Sequence, residues 1–305
     1  AMQVPLLGFG TMSDAPEFGA SVVSALRVGY RHFDTAEEYG SKERVKEAIV
    51  QANVPRSELF ITSKLKGLPC GDYESVKART QKLLDDMGLQ YVDLLLIHYP
   101  GSADFDFEKA PEEEMKKATL EYFKKSIKSA WHNMNQLKRD GFTKQIGVSN
   151  FYRQHMDELL SNMEQNEDIP FANEIYVDLV HQEEEYVQFL QEKNIKVIAY
   201  RPIAFMTVYS FLEDVMESLQ RIMKKVDEGI TTAQFLLACL MKRGIHVIPK
   251  STNDDRIKEN FEALQYVDKI SDSVLEELKS FENHEMICMY GGQDEFATAF
   301  KNVTV

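Results

Sequence analysis

The sequence predicts an α/β protein, a (β/α)8 TIM barrel of eight parallel strands that forms a single domain over residues 1–305. Short apolar runs alternate with longer stretches in which apolar residues recur at helical spacing. This alternation is typical of βαβ units, which place parallel strands side by side and bury both faces of the sheet. Eight such units are enough to close a barrel, and a doubly wound open sheet is the alternative architecture.

The strands follow one another along the whole chain. They are predicted at Leu6–Thr11, Tyr30–Thr35, Leu59–Lys64, Val92–His98, Gln145–Ser149, Phe171–Glu174, Lys196–Tyr200 and His246–Ser251. The stretches between them are amphipathic; in Tyr73–Met87, for example, apolar residues fall on one side of a helix. Two segments exceed what a minimal barrel needs, the loop 99–115 and the tail 284–305. We expect both to lie over the active-site mouth, where the long βα loops of a barrel gather.

Composition and charge exclude several classes of protein. The chain has 35 Lys and Arg against 49 Asp and Glu, a net charge of −14, which argues against nucleic-acid and anionic-membrane surfaces. Cys70, Cys239 and Cys288 lie far apart without zinc-site or CxxC spacing, so we expect a reducing, cytoplasmic location. The longest apolar runs are too short to cross a bilayer. We expect no metal ion and a monomer, with a homodimer as the alternative.

Polar residues collect at the carboxyl ends of the predicted strands. The first strand ends at Gly10-Thr11, and the other seven end in groups that are costly to bury without partners: Asp34, Lys64, His98, Ser149-Asn150, Glu174, Tyr200-Arg201 and Lys250-Ser251. The carboxyl ends of all strands meet at one face of a barrel. The sequence therefore predicts a single functional site at that face.

Five motifs resemble the aldo-keto reductase family in their order and approximate spacing. They are Phe33–Gly40, Ile61–Lys64, Val92–Pro100, Gly147–Phe151, and Ile248–Ser251 together with Arg256 and Asn260. The similarity extends from about residue 4 to residue 282. It implies reduction of aldehydes or ketones to alcohols by hydride transfer, with a small carbonyl compound as substrate and NADPH/NADP+ as cofactor.

The resemblance assigns a catalytic tetrad to Asp34, Tyr39, Lys64 and His98. Hydride addition to a carbonyl leaves negative charge on oxygen, so a proton must arrive in step, and Tyr39 would supply it as general acid. A free tyrosine has a pKa of about 10, and a neighbouring ammonium lowers it. We therefore expect Lys64 to lower the pKa of Tyr39 while Asp34 holds Lys64 charged. The substrate would contact Tyr39, His98 and Tyr99, and His98 would orient the substrate carbonyl.

The same resemblance implies a set of cofactor-binding residues at the strand ends and on the last helix. They are Gly10, Thr11, Asp34, Ser149, Asn150, Glu174, Tyr200, Arg201, Pro202, Ile203, Lys250, Ser251, Arg256, Glu259 and Asn260. Lys250, Ser251 and Arg256 would clasp a 2′-phosphate at a helix N-terminus, which suits phosphate and favours NADPH over NADH. Glu259 and Asn260 would meet the adenine.

On the nicotinamide side, Tyr200 would stack on the ring, while Ser149 and Asn150 would bind its carboxamide. Two positions depart from the family pattern. Glu174 stands where an amide is usual beside that carboxamide, and a carboxylate cannot donate a hydrogen bond. Arg201 stands where a small hydroxyl residue is common, and it would either pair with Glu174 or reach a phosphate.

Two other functions fit parts of the pattern. A catalytically silent NADP(H)-binding regulatory or structural barrel would keep the cofactor residues, but the intact tetrad speaks against it. A phosphate-binding barrel isomerase or lyase would use the Lys250 region for a phosphorylated substrate and ignore NADPH. Turnover of reactive aldehydes with NADPH distinguishes the leading interpretation from both.

Overall fold

The computed structural model describes residues 3–105, 119–209 and 212–283. Eight strands in this part of the chain form one all-parallel sheet in which each strand pairs with the next in sequence. The strands are β1 Phe9–Gly10, β2 His32–Asp34, β3 Phe60–Leu65, β4 Val92–Ile97, β5 Thr143–Ser149, β6 Ala172–Tyr176, β7 Lys196–Tyr200 and β8 His246–Val247.

The sheet closes on itself between its last and first strands. The backbone N–H of Gly8 donates to the carbonyl of Val247 at 2.8 Å, and the N–H of Val247 donates to Leu6 at 2.8 Å. One step further along, the N–H of Gly10 donates to Pro249 at 3.1 Å. Closure of a parallel sheet with helices between successive strands is the (β/α)8 arrangement that the sequence predicts.

Helices connect the strands in the expected alternation. They are α1 Phe18–Val28, α2 Lys42–Ala52, α3 Tyr73–Met87, α4 Leu120–Arg139, α5 Arg153–Asn162, α6 Glu184–Glu192, α7 Ala204–Tyr209, α8 Glu213–Met223, α9 Thr232–Lys242, α10 Asp254–Glu262 and α11 Asp272–Leu278, with 3-10 turns at Arg56–Glu58, Ala263–Lys269 and Lys279–Phe281. In the described residues, no helix is long and apolar enough to span a membrane.

The strands bury both faces, which explains why apolar residues such as Leu94–Ile97 follow one another without alternating with polar ones. In β4, Leu94 and Leu96 belong to a small cluster with residues of β3, β6 and β7, whereas Leu95 and Ile97 pack in the large cluster that includes the helices. Successive strand residues point to opposite faces, so alternate residues fill the barrel interior and the layer beneath the helices. All six residues of β4 are buried.

Several helices begin at polar capping residues. Asp72 accepts a hydrogen bond from the backbone N–H of Ser75 at the start of α3, and Asn253 accepts from Arg256 at the start of α10. At α9, Thr231 and Gln234 form a capping box. Each cap satisfies a backbone donor that the first helical turn would otherwise leave unpaired.

The structure changes some predicted boundaries. The first strand was expected at Leu6–Thr11 and the last at His246–Ser251, but only Phe9–Gly10 and His246–Val247 are regular strand. Pro249 has no amide hydrogen to extend the ladder, so the closing contacts continue as single hydrogen bonds. Most of the loop 99–115 and the whole tail 284–305 lie outside the described residues, and their place over the mouth stays a prediction.

Candidate active site

Strand periodicity stacks polar side chains on top of the apolar interior. Phe60 and Lys64 lie four residues apart on β3, and Leu96 precedes His98 by two positions, so each polar residue continues an inward-facing row. Glu174 lies two positions after Ala172 on β6 in the same way. The strand ends therefore deliver their polar side chains to one end of the barrel interior, as predicted.

The Lys64 ammonium is the centre of this arrangement. Its Nζ lies 2.5 Å from Oδ1 of Asp34 and 3.0 Å from the backbone oxygen of Thr35. It also lies 3.4 Å from the hydroxyl of Tyr39 and 3.2 Å from Oε1 of Glu174. The structure thus brings together three of the four predicted tetrad residues and adds Glu174 as a second carboxylate.

The charges around Lys64 keep it protonated. Burial on its own lowers the pKa of a lysine, because the interior solvates an ammonium poorly. Here the carboxylates of Asp34 and Glu174 outweigh burial and hold the pKa of Lys64 well above its usual range. The side chain of Lys64 is only 1% exposed, so its charge acts on its neighbours with little screening by water.

Tyr39 differs from expectation. Burial raises the pKa of the Tyr39 phenol above its usual value, and the negative charges of Asp34 and Glu174 act in the same direction. Lys64 lowers the pKa of Tyr39, as expected, but does not offset these effects. The expected net lowering is therefore wrong for this structure, because desolvation and the second carboxylate were not counted. The phenol is fully protonated at neutral pH.

His98 faces the same space. Its ring lies edge-on to that of Tyr39, with the centroids 5.9 Å apart. Nδ1 of His98 lies 3.1 Å from Oε1 of Glu38. Burial lowers the pKa of His98, and the hydrogen bond to Glu38 opposes this only in part, so the imidazole is neutral at neutral pH.

Glu38 was not identified from the sequence as a site residue. Burial alone would raise its pKa, but the hydrogen bond to His98 and the charges of Lys66 and Arg79 hold it below its usual value. As an ionised acceptor, Glu38 favours the His98 tautomer with hydrogen on Nδ1. The signal available in the sequence was the position of Glu38 next to Tyr39, on the loop that follows Asp34.

The strand ends on the opposite side form a hydrogen-bonded network. Ser149 Oγ donates to the backbone oxygen of Glu174 at 2.7 Å. The Tyr200 hydroxyl donates to Oδ1 of Asn150 at 2.6 Å, and Nδ2 of Asn150 donates to the backbone oxygen of His98 at 2.8 Å. The network links β5 and β7 to His98. The contacts of Ser149, Asn150 and Tyr200 with a nicotinamide stay predictions.

Three cations lie near the end of β8; Asp14 is close enough to Lys250 to raise its pKa, but no ion pair within 4.0 Å joins the three to a carboxylate among the described residues. Lys250 donates to the backbone oxygen of Met12 at 2.7 Å, and Arg201 is close enough to lower its pKa, although burial lowers it more. Arg256 lies in the first turn of α10, where free N–H groups favour an anion. A hypothetical Cβ on Gly10 would lie 3.0 Å from the backbone oxygen of Ile248, so a larger residue would require the backbone to shift by a few tenths of an ångström. Such a surface fits a phosphate group.

The sequence left two alternatives for Arg201, a pair with Glu174 or a contact with a phosphate, and the position of Arg201 bears on the first. Its backbone lies in the left-handed region, at a φ of 51°, and its side chain is exposed near Lys250. Glu174 instead pairs with Lys64. The predicted option of an Arg201–Glu174 pair is therefore wrong, because the two side chains serve different ends of the site.

The remaining predicted residues lie around this site. Thr11 donates through its hydroxyl to the backbone oxygen of Asp34 at 2.6 Å. The other members differ in burial: Pro202 and Asn260 are buried, Ile203 and Ser251 are half-buried, and Glu259 is half-buried with its carbonyl accepting from Gln234. Tyr99 is completely buried, with its ring 6.0 Å from His98 and 6.1 Å from Phe105. Their contacts with cofactor and substrate stay predictions.

One cluster outside the barrel mouth was not anticipated. His132, Glu164 and Glu167 bring one potential metal-ligand atom each within 4.8 Å of one another. His132 and Glu164 are exposed, and Nδ1 of His132 lies 3.4 Å from Oε1 of Glu167, which gives the group an ion-pair explanation. The expectation that the protein needs no metal ion stays a prediction.

Comparison with known proteins agrees with this geometry. The family model described as "Aldo/keto reductase family" matches residues 6–283. The chain is 34% identical to the aldehyde reductase YPR1 of Saccharomyces cerevisiae over 265 residues, covering 85% of this chain and 82% of that protein. It is 31% identical to the glycerol 2-dehydrogenase (NADP(+)) of the same yeast over 284 residues, covering 88% of each.

Solved structures show the same relationship. An aldo/keto reductase from Brucella melitensis superposes with a TM-score of 0.74 at 30% identity, covering 92% of this chain and 95% of that one. The aldose reductase from Schistosoma japonicum gives a TM-score of 0.73 at 27% identity, covering 97% and 95%. With a family model spanning nearly all of the described chain, the protein belongs to the aldo/keto reductase family of oxidoreductases.

Proposed function

We propose that the protein, as a single-domain barrel, reduces small aldehydes or ketones to alcohols with NADPH, and that Tyr39 is the proton donor. The observation that carries this proposal is the position of the Tyr39 hydroxyl, 3.4 Å from a buried ammonium that is itself held by Asp34. A phenol beside a fixed cation can release a proton only when a stronger base appears next to it. The alkoxide that forms from a carbonyl is such a base.

The chain supports this proton transfer in three ways. Asp34 and the backbone oxygen of Thr35 fix the Lys64 ammonium. Lys64 then stabilises the negative charge that develops on the Tyr39 oxygen as the proton leaves. With its hydrogen on Nδ1, His98 has an unprotonated Nε2 beside Tyr39, which would accept a hydrogen bond from the alcohol hydroxyl that forms. These groups are fixed by the barrel before substrate arrives, so little reorganisation is needed during reaction.

The cationic surface after β8 would hold the cofactor. NADPH, when bound, supplies the hydride for reduction. Lys250, Arg201 and Arg256 would bind its phosphates, and Tyr200 with Asn150 would border its nicotinamide. The 2′-phosphate is the group that distinguishes NADPH from NADH, and cations beside a helix N-terminus favour it.

The state of Tyr39 supports reduction over alcohol oxidation near neutral pH. Burial raises the pKa of Tyr39, so the proton needed for reduction is present throughout the physiological range. Alcohol oxidation needs the phenolate as base, and that form is scarce until the solution is strongly alkaline. We therefore expect the reductive rate to be flat near neutral pH and the oxidative rate to rise with pH.

The decisive test is an NADPH-consumption assay over aldehydes, ketones and keto-sugars with Tyr39→Phe. We expect kcat to fall by about a hundredfold or more, as for loss of a general acid, with NADPH affinity retained. Tyr73→Phe is the matched control, because that hydroxyl lies on α3 and bonds to Asp140 at the protein surface. Full activity in Tyr39→Phe would remove the assigned proton donor. NADPH binding without turnover of any carbonyl by the wild-type protein would instead favour the silent barrel.

The cofactor preference has its own test. Arg256→Ala should raise the Kd for NADPH by roughly 10- to 100-fold, the loss of one charge-assisted contact to phosphate, with little change for NADH. Lys258→Ala is the matched control, since it lies on the same helix and its nearest acid is Glu262 at 3.9 Å. Equal losses for both dinucleotides, measured by fluorescence titration, would contradict a 2′-phosphate contact.

A further inference from the structure

Glu174 and Tyr39 compete for the same ammonium. An ammonium has three hydrogens, but Lys64 Nζ has four oxygens around it, at 2.5 Å (Asp34), 3.0 Å (Thr35), 3.2 Å (Glu174) and 3.4 Å (Tyr39). The contacts with Asp34 and Thr35 are the shortest. One hydrogen remains for two oxygens, and Tyr39 is the more distant of the two.

Each of the two carboxyl groups beside Lys64 also has one oxygen without a hydrogen-bond donor. Oδ2 of Asp34 and Oε2 of Glu174 are both buried without a hydrogen-bond partner. Their side chains are 3% and 2% exposed, so water does not solvate them. Two ionised carboxylates against one ammonium would leave an uncompensated negative charge in the barrel interior, which is costly. One proton on this pair removes the excess charge and supplies a donor.

The surroundings indicate where that proton resides. The titratable groups that face Glu174 are Asp34 on β2, Lys64 on β3 and Tyr39 in the loop after β2. The register partners of Glu174 on β5 and β7 are Ser149 and Ile198, which carry no charge. Asp34 has the closer contact with Lys64, so it is the better stabilised carboxylate. Burial and the charge and hydrogen bond of Asp34 raise the pKa of Glu174 well above its usual range.

We propose that Glu174 is a positioning residue that holds a proton at neutral pH, shares it with Asp34, and on losing it draws the Lys64 ammonium away from Tyr39. The proton passes to solvent base at alkaline pH, and no other bond changes. This inference rests on the proposed function for its kinetic consequence, but the proton on Glu174 and its effect on Lys64 can be measured without catalysis.

The proposal has a defined chemical consequence. While Glu174 is neutral, the third hydrogen of Lys64 is available to Tyr39, and the ammonium can stabilise a developing phenolate. When Glu174 ionises, its charge opposes the phenolate and takes that hydrogen. Alcohol oxidation, which needs the phenolate, is therefore restrained by Glu174 at alkaline pH. The residue biases the site toward reduction.

The direct test is NMR of the protein labelled with [δ-13C]glutamate and [ζ-15N]lysine, without cofactor. We expect one glutamate carboxyl carbon to remain in its protonated state at neutral pH, and its signal to be missing from Glu174→Gln. On raising the pH, the Lys64 signal should shift at the same midpoint as this carboxyl, and should lack that step in Glu174→Gln. Glu192→Gln, an exposed acid on α6, is the matched control.

The outcomes separate cleanly. If every glutamate carboxyl is ionised at neutral pH, or if the Lys64 signal still shows the alkaline step in Glu174→Gln, the proposal is overturned. Should Glu174→Gln fail to fold, Glu174→Asp removes the same glutamate signal and serves for assignment. In kinetics, Glu174→Gln should oxidise alcohols at least about threefold faster than wild type in the alkaline range, a change of about half a pH unit in the Tyr39 midpoint. If the wild-type protein turns over no carbonyl or alcohol, the proposed function is refuted, and the NMR result still decides whether Glu174 holds the proton.

Discussion

Replacement of the buried lysine measures how much the site depends on its charge. Lys64→Met keeps the length of the side chain and removes the ammonium 3.4 Å from the Tyr39 hydroxyl. At an effective dielectric constant of about 20, one unit charge at that distance is worth about 5 kcal/mol to a full phenolate. If about half of that charge has developed in the transition state, the barrier rises by about 2.5 kcal/mol, roughly a 70-fold loss in kcat.

The assay is steady-state reduction of a reactive aromatic aldehyde, with NADPH affinity measured separately by fluorescence quenching. Cofactor affinity should be retained, because Lys64 pairs with Asp34 and Glu174 and lies in the barrel interior. Lys82→Met is the matched control: that side chain is 75% exposed and its pair with Asp86 lies on the surface. A folded Lys64→Met protein with kcat within about threefold of wild type would refute the electrostatic role.

Three further outcomes concern stability. Gly147→Ala should cost about 1–3 kcal/mol in urea unfolding, because its Cβ would lie 2.6 Å from the oxygen of Ala172; a smaller loss would show that β5 can shift. Gly19→Ala is its control and should be neutral or stabilising by up to about 1 kcal/mol, since it lies within α1 with nothing nearer than 3.6 Å. Burial lowers the pKa of His32 to about 4, so the unfolded chain binds the extra proton. Stability from this residue is complete above about pH 6.5 and falls by up to about 1.4 kcal/mol per pH unit toward pH 4; a His32→Gln protein with an equally steep fall would contradict this.

The fold could be predicted from local patterns. In a run such as Val92–Ile97, apolar residues point to both faces of the sheet, with Asp93 as the one exception, because the sheet is covered inside and outside. Eight such strands with a helix between successive strands are compatible with few topologies other than a (β/α)8 barrel. The limits of the first and last strands were missed because Pro249 interrupts the ladder at the point of closure, which depends on pairing between residues more than 200 positions apart.

The site was predicted in part. Asp34 and Lys64 were recognised because they end predicted strands, and Tyr39 because the motif around it resembles that of the aldo-keto reductase family; the structure brings the three into contact. The pairing of Glu174 with Lys64 was missed, as was the contact of Glu38 with His98. The partner of each carboxylate depends on the direction in which side chains point across the barrel. The spacing of residues along the chain does not predict that direction.

The sequence by itself determined which side chains reach the carboxyl end of the barrel, because strand periodicity and chain order depend only on neighbouring residues. Tertiary structure alone decided their protonation states. The pKa of Tyr39 is set by its burial, by the charges of Lys64 and Asp34, and by that of Glu174 once it ionises, and these three groups lie on three different strands. Electrostatic energies depend on distance and on exclusion of water, and both exist only once the barrel has closed.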